Sequence, residues 1–564
     1  LAAELKGTTS SQESTIHWKM DHQRAVTKLR SRELLSAALD YAVFDRISGD
    51  FFYDPLEIEY ALANRDALIS ELIEELGDVS QFSPRQAFAY FPPKNELCDR
   101  RMIYVPIKDL VVRYALAILF SEQIETEIHP QCFANRRARG DEVKVRFTED
   151  FSTGGWARFC QWQAERCKDN TVLLRTDISS FYDSVSHDYL IAALCRHLSL
   201  PAECALVSLL RRLLQIPVIS YLPSTGEIEG PETIHQGLPI GDGVEGYLAN
   251  IYLKGVDDAM IHGNASYARY VDDMRLFGNS RQTVLQNLRI LQEQLLRKGL
   301  NLNSSKTRIA EDQQSREALM SRVYSGGDYG EDEDLKAGSI IAAHVDQPFE
   351  QFSRTFEANE ELEDGSDAKD FCKFLGAHSA DGIPLVALGD RKVWHVERLG
   401  EVITKWRGAT KHAGWLLVQT AIYRGVPDTT RNCARQTMMA VLGDGDVSAY
   451  SRYRILHHLV KPRRRRNGEV ARFLSQLTDE DQQIIESLIP RYLSEPAFET
   501  NLIALYTGRI LGRSAEDLKS LVAEHCRRGC EPVRNALESA TQIPETAPLV
   551  IGTSDEPDAI LGRY

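Results

Sequence analysis

The stretch Tyr270-Val271-Asp272-Asp273 constrains this chain more than any other. It lies in residues 266–278, Ser-Tyr-Ala-Arg-Tyr-Val-Asp-Asp-Met-Arg-Leu-Phe-Gly, where apolar and aromatic residues flank two adjacent carboxylates. That pattern predicts a tight β-hairpin with acids at its tip. Adjacent carboxylates repel, and in apolar surroundings they are costly unless a cation neutralises them. A hard divalent ion that prefers oxygen ligands, Mg²⁺ or Mn²⁺, is the natural partner. In isolation the same four residues would also suit an ordinary acidic surface turn.

A second acid favours the metal. Val-Leu-Leu-Arg-Thr-Asp, residues 172–177, runs apolar into Asp177, and a helical pattern follows over 184–197. A strand ending in a carboxylate beside a hairpin carrying two more is the layout of a two-metal phosphoryl-transfer site. One ion lowers the pKa of an attacking 3′-hydroxyl and the other holds the triphosphate. Asp177 and Asp272 would bridge the ions, with Asp273 in support.

From here the chain resembles the reverse transcriptases, through blocks in that family's order. Residues 94–109, Lys-Asn-Glu-Leu-Cys-Asp-Arg-Arg-Met-Ile-Tyr-Val-Pro-Ile-Lys-Asp, resemble the fingers block, which implies that Lys94 and Arg101 grip the incoming triphosphate. Phe133-Ala134-Asn135-Arg136-Arg137 is similar to the next block. Asp177 with Tyr182 resembles the first palm motif and makes Tyr182 the aromatic gate against ribose 2′-hydroxyls. Gln236-Gly237-Leu238-Pro239-Ile240-Gly241, opening an amphipathic helix, resembles the template- and nucleotide-positioning motif. Tyr270 to Asp273 matches the third palm motif, and residues 299–307, with Lys306 as candidate general acid, match the fourth. Phe374-Leu375-Gly376 resembles the primer grip. The implied metal set is Asp177, Ile178, Asp272 and Asp273, holding two Mg²⁺ ions or Mn²⁺.

Each block also has a plainer reading. Lys94 and Arg101 could be solvated charges, Tyr182 core packing, Lys306 a turn lysine, and the Gly-Pro block a simple helix start. Order and spacing, rather than any one block, speak against those readings. The chain departs from the family between residues 307 and 374, where an insert contains Ser325-Gly-Gly-Asp-Tyr-Gly-Glu-Asp-Glu-Asp334 and a second acidic run. The acidic, Gly-rich part reads as a solvated loop.

A chain of 564 residues with 43% hydrophobic content has material for several domains. Its charge balance, 66 − 81 = −15, is acidic for a polymerase, so nucleic acid must be held by local basic grooves. Ten cysteines without a Cys-x-x-Cys pair suit reduced thiols in a cytoplasmic protein. No apolar run reaches the roughly 18–20 residues of a membrane span. Beyond about residue 400 strand signals fade, and helices are expected over 414–423, 429–442, 450–460, 470–477, 479–493, 499–511 and 515–528. Lys461-Pro-Arg-Arg-Arg-Arg466 interrupts them, and Arg463, Arg464, Arg465 and Arg466 are candidate phosphate contacts. Arg407 with His412 and Arg452 with His457 share the Arg-x-x-x-x-His spacing of one class of helical ribonucleases.

The expected fold is an α/β right-hand polymerase, with fingers and palm, followed by an all-α, HEAT-like C-terminal domain. The expected divisions are a helical N-terminal extension over 1–90, fingers and palm over 91–310, the insert, primer grip and thumb over 311–400, and the helical domain over 401–564. This architecture resembles the bacterial abortive-infection and phage-defence reverse transcriptases. It implies RNA-directed or untemplated DNA synthesis from dNTPs, RNA or DNA partners including a non-coding RNA template, homo-oligomers and no membrane. A conventional retroelement reverse transcriptase with a nucleic-acid primer is the alternative. A catalytically silent nucleic-acid-binding scaffold fits less well, having no need of Asp177, Asp272, Asp273 and Lys306 together.

Overall fold

Two antiparallel-rich sheets and the helices between them position the site. The computed structural model describes residues 21–48, 52, 54–95, 97–137, 155–222, 225, 227–320, 372, 392–423, 426–461, 463–464, 470–526 and 530–543. Elements are numbered along the chain. Helices α1 (His22–Leu29), α2 (Arg32–Ser48), α3 (Pro55–Ala63) and α4 (Arg65–Glu75) come first. Leu34, Leu35, Leu39, Leu68, Leu72 and Leu76 are all buried in them or just beyond, and α2 lies along α5 (Ile107–Ile124). Helix α5 is apolar on every side and is buried almost throughout, as a core helix must be.

The first sheet joins β1 (Ala87–Tyr90), β2 (Met102–Tyr104), β4 (Pro217–Tyr221) and β5 (Ile228–Thr233) in the order β2-β1-β4-β5, with β1 and β4 parallel. The second, wholly antiparallel, joins β3 (Val172–Thr176), β6 (Ser266–Tyr270), β7 (Asp273–Gly278) and β8 (Arg308–Ala310) in the order β6-β7-β3-β8. Both edges of central β3 are paired, and its apolar residues Val172, Leu173 and Leu174 are buried. Around these sheets run α6 (Gly155–Asp169), α7 (Phe181–Ser184), α8 (His187–Leu198), α9 (Ala205–Leu214), α10 (Gly243–His262), α11 (Arg281–Leu296) and α12 (Gln313–Leu319). The apolar residues of α10 named by its periodicity, Val244, Tyr247, Leu248, Ile251 and Tyr252, are all buried.

The C-terminal region is helical: α13 (Lys392–Lys405), α14 (Thr410–Ile422), α15 (Asp428–Gly443), α16 (Ala449–Val460), α17 (Asp479–Leu493), α18 (Phe498–Ile510), α19 (Ala515–His525) and α20 (Glu531–Gln542). Capping boxes open two of these: Thr478 with Asp481 before α17, and Ser514 with Asp517 before α19. Sequence and structure differ at several points, the unexpected helix α13 among them. The expected helix over 470–477 is instead a short strand, β10 (Val470–Ala471), antiparallel to β9 (Arg463–Arg464), followed by a 3-10 turn at Leu474–Gln476. Helix α20 has no counterpart in the sequence reading, because its apolar positions Val533, Ala536 and Ala540 are small and spaced among charges. The boundary drawn at 400 falls inside α13, and the one at 90 parts β1 from the strand it pairs with.

The helical region does not stand apart. Helix α20 packs on α3, and Phe498 at the start of α18 meets the rings of Phe52 at 5.5 Å and Tyr221 at 5.2 Å. Phe374-Leu375-Gly376 and most of the acidic insert lie outside the described residues. No helix among the described residues is long and apolar enough to cross a membrane.

Candidate active site

Asp177 stands one residue beyond the end of β3 and is buried. The chain after it pairs with residues 301–303. Ile178 bridges to Leu302, the Ser179 N–H donates to the Asn301 carbonyl at 2.8 Å, and the Asn303 N–H donates to the Asp177 carbonyl at 2.7 Å. That pairing brings Lys306 over the carboxylate, where its Nζ donates to Asp177 Oδ2 at 2.9 Å. The Asn303 amide reaches the same oxygen at 3.4 Å.

Asp272 sits at the tip of the β6–β7 hairpin. Tyr270 pairs with Asp273, which leaves Val271 and Asp272 as a two-residue turn. Val271 has φ 55°, a left-handed conformation that glycine adopts freely and a β-branched residue resists. Such strain costs roughly 1–3 kcal/mol and persists only where the surroundings dictate it. Arg269 is one such constraint. Fully buried, it donates to both Asp257 oxygens at 2.8 Å, to Asn250 Oδ1 at 2.8 Å and to the Val271 carbonyl at 3.2 Å. The Tyr270 ring, held edge-on by Trp156 at 4.9 Å, is another. Burial pushes the Asp272 carboxyl up to about 6, and the nearby Asp177 charge adds to the effect. Asp177 and Asp272 thus feel each other's charge, which the Lys306 ammonium offsets in part.

Asp273 is placed differently. Arg275 donates to its two oxygens at 2.6 and 2.9 Å, and Arg175 Nε stands 3.4 Å away. Gln163 in turn fixes Arg275, accepting from Nε at 3.0 Å. The expectation that Asp273 ligates a metal meets a carboxylate already committed to a guanidinium. In this arrangement it locks the base of the turn. Among the described residues no three His, Cys, Asp or Glu side chains are gathered into a ready metal cluster.

Tyr182 lies on α7 directly beneath the Gln236–Gly241 segment. The Leu238 N–H donates to the Tyr182 carbonyl at 2.9 Å and the Gly237 N–H to the Val185 carbonyl at 2.8 Å. Gly237 has φ +92°, and a Cβ there would sit 3.2 Å from the carbonyl oxygens of Tyr182 and Asp183. Only glycine allows this approach. Gln236 itself is exposed and bridges to Ser186. Burial raises the Tyr182 phenol above its ordinary range, and the Asp272 charge raises it further, which places the ring near the hairpin tip.

Other candidates lie elsewhere. Lys94 and Arg101 are exposed on the loop that joins β1 to β2, with Lys94 facing C-terminal helices across a cavity. Arg463 and Arg464 form β9, while Arg465 and Arg466 lie outside the described residues. Arg452 and His457 are buried, and Arg452 is bound to Glu495 and to the Asp444 and Val447 carbonyls, so that Arg-x-x-x-x-His spacing serves packing. Sequence reasoning missed Asn303, Arg269, Arg275 and Gln163. The available signal was two arginines within a hairpin that is otherwise apolar, a pattern that demands buried partners.

Residues 117–378 match the family model described as reverse transcriptase (RNA-dependent DNA polymerase). The chain carries a reverse-transcriptase domain. It is a domain of the nucleotidyltransferase class, and Asp177, Tyr182, Gln236, Gly237, Asp272, Asp273 and Lys306 all fall within the matched span. Lys94 and Arg101 precede it. Among solved structures, apo telomerase from Candida tropicalis truncated from its C-terminal domain is 12% identical, over 40% of this chain and 50% of that one, with a TM-score of 0.30. Telomerase from Candida albicans in complex with a TWJ fragment of telomeric RNA is 11% identical, over 66% of this chain and 65% of that one, with a TM-score of 0.32. This chain therefore spans half to just under two thirds of those proteins, and likeness at that level carries nothing about activity. No curated protein matches the chain.

Proposed function

We propose that the chain is a DNA polymerase that extends a 3′-hydroxyl with deoxyribonucleotides at the β6–β7 turn. The observation that carries this reading is the convergence of Asp177, Asp272 and Lys306 inside the reverse-transcriptase domain. The donor set fits hard divalent ions: two carboxylates, one of them driven up by burial and by the charge of the other, and the Ile178 carbonyl beside Asp177. Mg²⁺ or Mn²⁺ held there would supply an activated 3′-hydroxyl and charge stabilisation for the departing pyrophosphate.

The protein's own groups do the rest. Lys306, tethered to Asp177, holds a proton donor beside the reacting phosphates. The strained Val271 turn fixes where Asp272 points, and the Arg275–Asp273 pair keeps that turn from shifting. Tyr182, pinned through its carbonyl by Leu238, presents its ring where a ribose 2′-hydroxyl would collide. Replacing Tyr182 with Ala should therefore raise ribonucleotide use relative to deoxyribonucleotide by at least tenfold, as read from paired single-nucleotide incorporation assays. An unchanged ratio in an active variant would make Tyr182 a packing residue.

The helical region following the polymerase domain, as in abortive-infection reverse transcriptases, supports a role in bacterial anti-phage defence, with the protein acting in the cytoplasm as a homo-oligomer on RNA and DNA. Incubating the purified chain with dNTPs and Mg²⁺, with and without an RNA template and primer, and sequencing the product tests the reading. Synthesis without added nucleic acid favours the untemplated form, and synthesis only on primed RNA favours the retroelement form. No synthesis under either condition rejects the polymerase. The Arg463–Arg466 run should hold product or RNA phosphates. Neutralising those four residues should flatten the salt dependence of nucleic-acid binding, by close to one unit of log–log slope per lost contact. An unaltered slope would assign the run to solvent.

A further inference from the structure

A cavity of about 330 Å³ lies between the β1–β2 hairpin and the helical region. Its walls bring four cationic side chains, Lys94 and Arg100 from the hairpin loop and Lys411 and Arg454 from α14 and α16, against one carboxylate, Glu499. Lys94 and Arg100 are exposed and take part in no ion pair among the described residues. Lys411 and Arg454 have further partners of their own. Burial pushes Glu499 up to about 7, so near neutrality this lone carboxyl is partly protonated and opposes an anion weakly. Tyr450 supplies an aromatic wall beside the charges.

The two sides of the cavity are fastened together. Arg407 Nη2 meets Asp99 Oδ1 at 3.0 Å at the hairpin's end. Gln86 Nε2, just before β1, donates to Glu531 Oε2 at 2.7 Å. Below them Phe498 packs on Tyr90 at 6.2 Å. A space of this size at the junction of two regions, with cationic and aromatic side chains on both walls, has the character of a small-ligand site. An anion entering this space meets cationic side chains from both walls.

We propose that this cavity binds a nucleotide through its phosphates, with the helical region and the fingers hairpin each contributing two of the cations. The phosphate could belong to a free deoxynucleoside triphosphate or to one residue of a single strand threading past the hairpin. The site extends the polymerase reading, but its occupancy needs neither Asp177 nor Asp272. It gives the helical region a direct hold on the substrate or product of the domain it is fastened to.

The test uses the full chain carrying Asp272→Asn, in EDTA, so that binding is read without catalysis or metal. Fluorescence anisotropy with labelled dTTP and with labelled oligo(dT) would be compared before and after adding Arg100→Gln and Lys411→Gln. Affinity should fall at least tenfold for one of the two probes, with the salt slope for the oligonucleotide shallower by roughly one to two units if the strand is the occupant. Loss for dTTP assigns a free nucleotide, and loss for oligo(dT) alone assigns a strand phosphate. Unchanged affinity for both probes, in protein whose thermal midpoint is unaltered, overturns the proposal. Should the double variant not fold, Arg100→Gln alone, on an exposed side chain, should still weaken binding severalfold, and an unweakened single variant would be equally decisive. Failure here would leave incorporation by the parent chain intact, so it is distinguishable from failure of the polymerase reading.

Discussion

Asp272→Asn should lower nucleotide incorporation by roughly a thousandfold or more, equivalent to about 4 kcal/mol of lost transition-state stabilisation. The substitution keeps the shape of the side chain and removes the charge that would hold a metal. Steady-state incorporation with Mg²⁺ measures it, and activity within tenfold of the parent would remove Asp272 from the site. The same variant carries a second expectation that an inactive, misfolded protein could not meet. Burial and the Asp177 charge raise the Asp272 carboxyl from 3.8 to about 6. A group whose folded-state pKa is raised favours folding fully below its unfolded value, and that contribution is lost as pH climbs through the folded value. Without metal, the parent therefore loses on the order of 2–3 kcal/mol between about pH 4 and 6, and the Asn variant does not. At pH 8 the variant should be the more stable of the two, and the gap should close towards pH 4. Adding Mg²⁺ should stabilise the parent and leave the variant unmoved. A variant less stable than the parent in metal-free buffer at pH 8 would mean that Asp272 carries no electrostatic strain.

What could be read from the chain alone follows from how far apart the interacting residues stand. The β6–β7 hairpin was legible because its strands and turn fall within one short segment, and β3 because the apolar run Val172-Leu173-Leu174 leads through Arg175 and Thr176 to a carboxylate. The burial of Leu34, Leu39, Leu68 and Leu72 followed from helical periodicity. Lys306 came from the resemblance alone, because only the pairing of 177–179 with 301–303 brings it to Asp177. The engagement of Asp273 by Arg275 was open to reading, since the two are neighbours on one face of β7, yet an acid pair drew attention to metal first. Helix α13 and the β9–β10 hairpin escaped because charged, short-period segments look alike whether they form helix, strand or loop. Nothing in the sequence placed Lys94 opposite Lys411 and Arg454, since that depends on how the helical region folds back over the fingers.

Arg269→Ala should cost about 3–5 kcal/mol of stability, the range for breaking a buried ion pair from one side. Arg269 is wholly inaccessible, and its loss would strand the Asp257 carboxylate, itself 2% exposed, with the Tyr267 hydroxyl at 3.0 Å as its remaining hydrogen-bond donor among the described residues. Urea denaturation of the chain would read the loss as a lower midpoint with an unchanged slope. Adding Asp257→Asn removes the stranded charge, so the double variant should recover part of the stability, and the two substitutions should prove strongly non-additive. Activity should not recover with it. Arg269 also holds the Val271 carbonyl, and without that bond the left-handed turn is free to relax and carry Asp272 away from Asp177. A double variant that regained both stability and incorporation would show that the turn keeps its shape unaided. One that regained stability alone would separate what Arg269 does for the fold from what it does for the site.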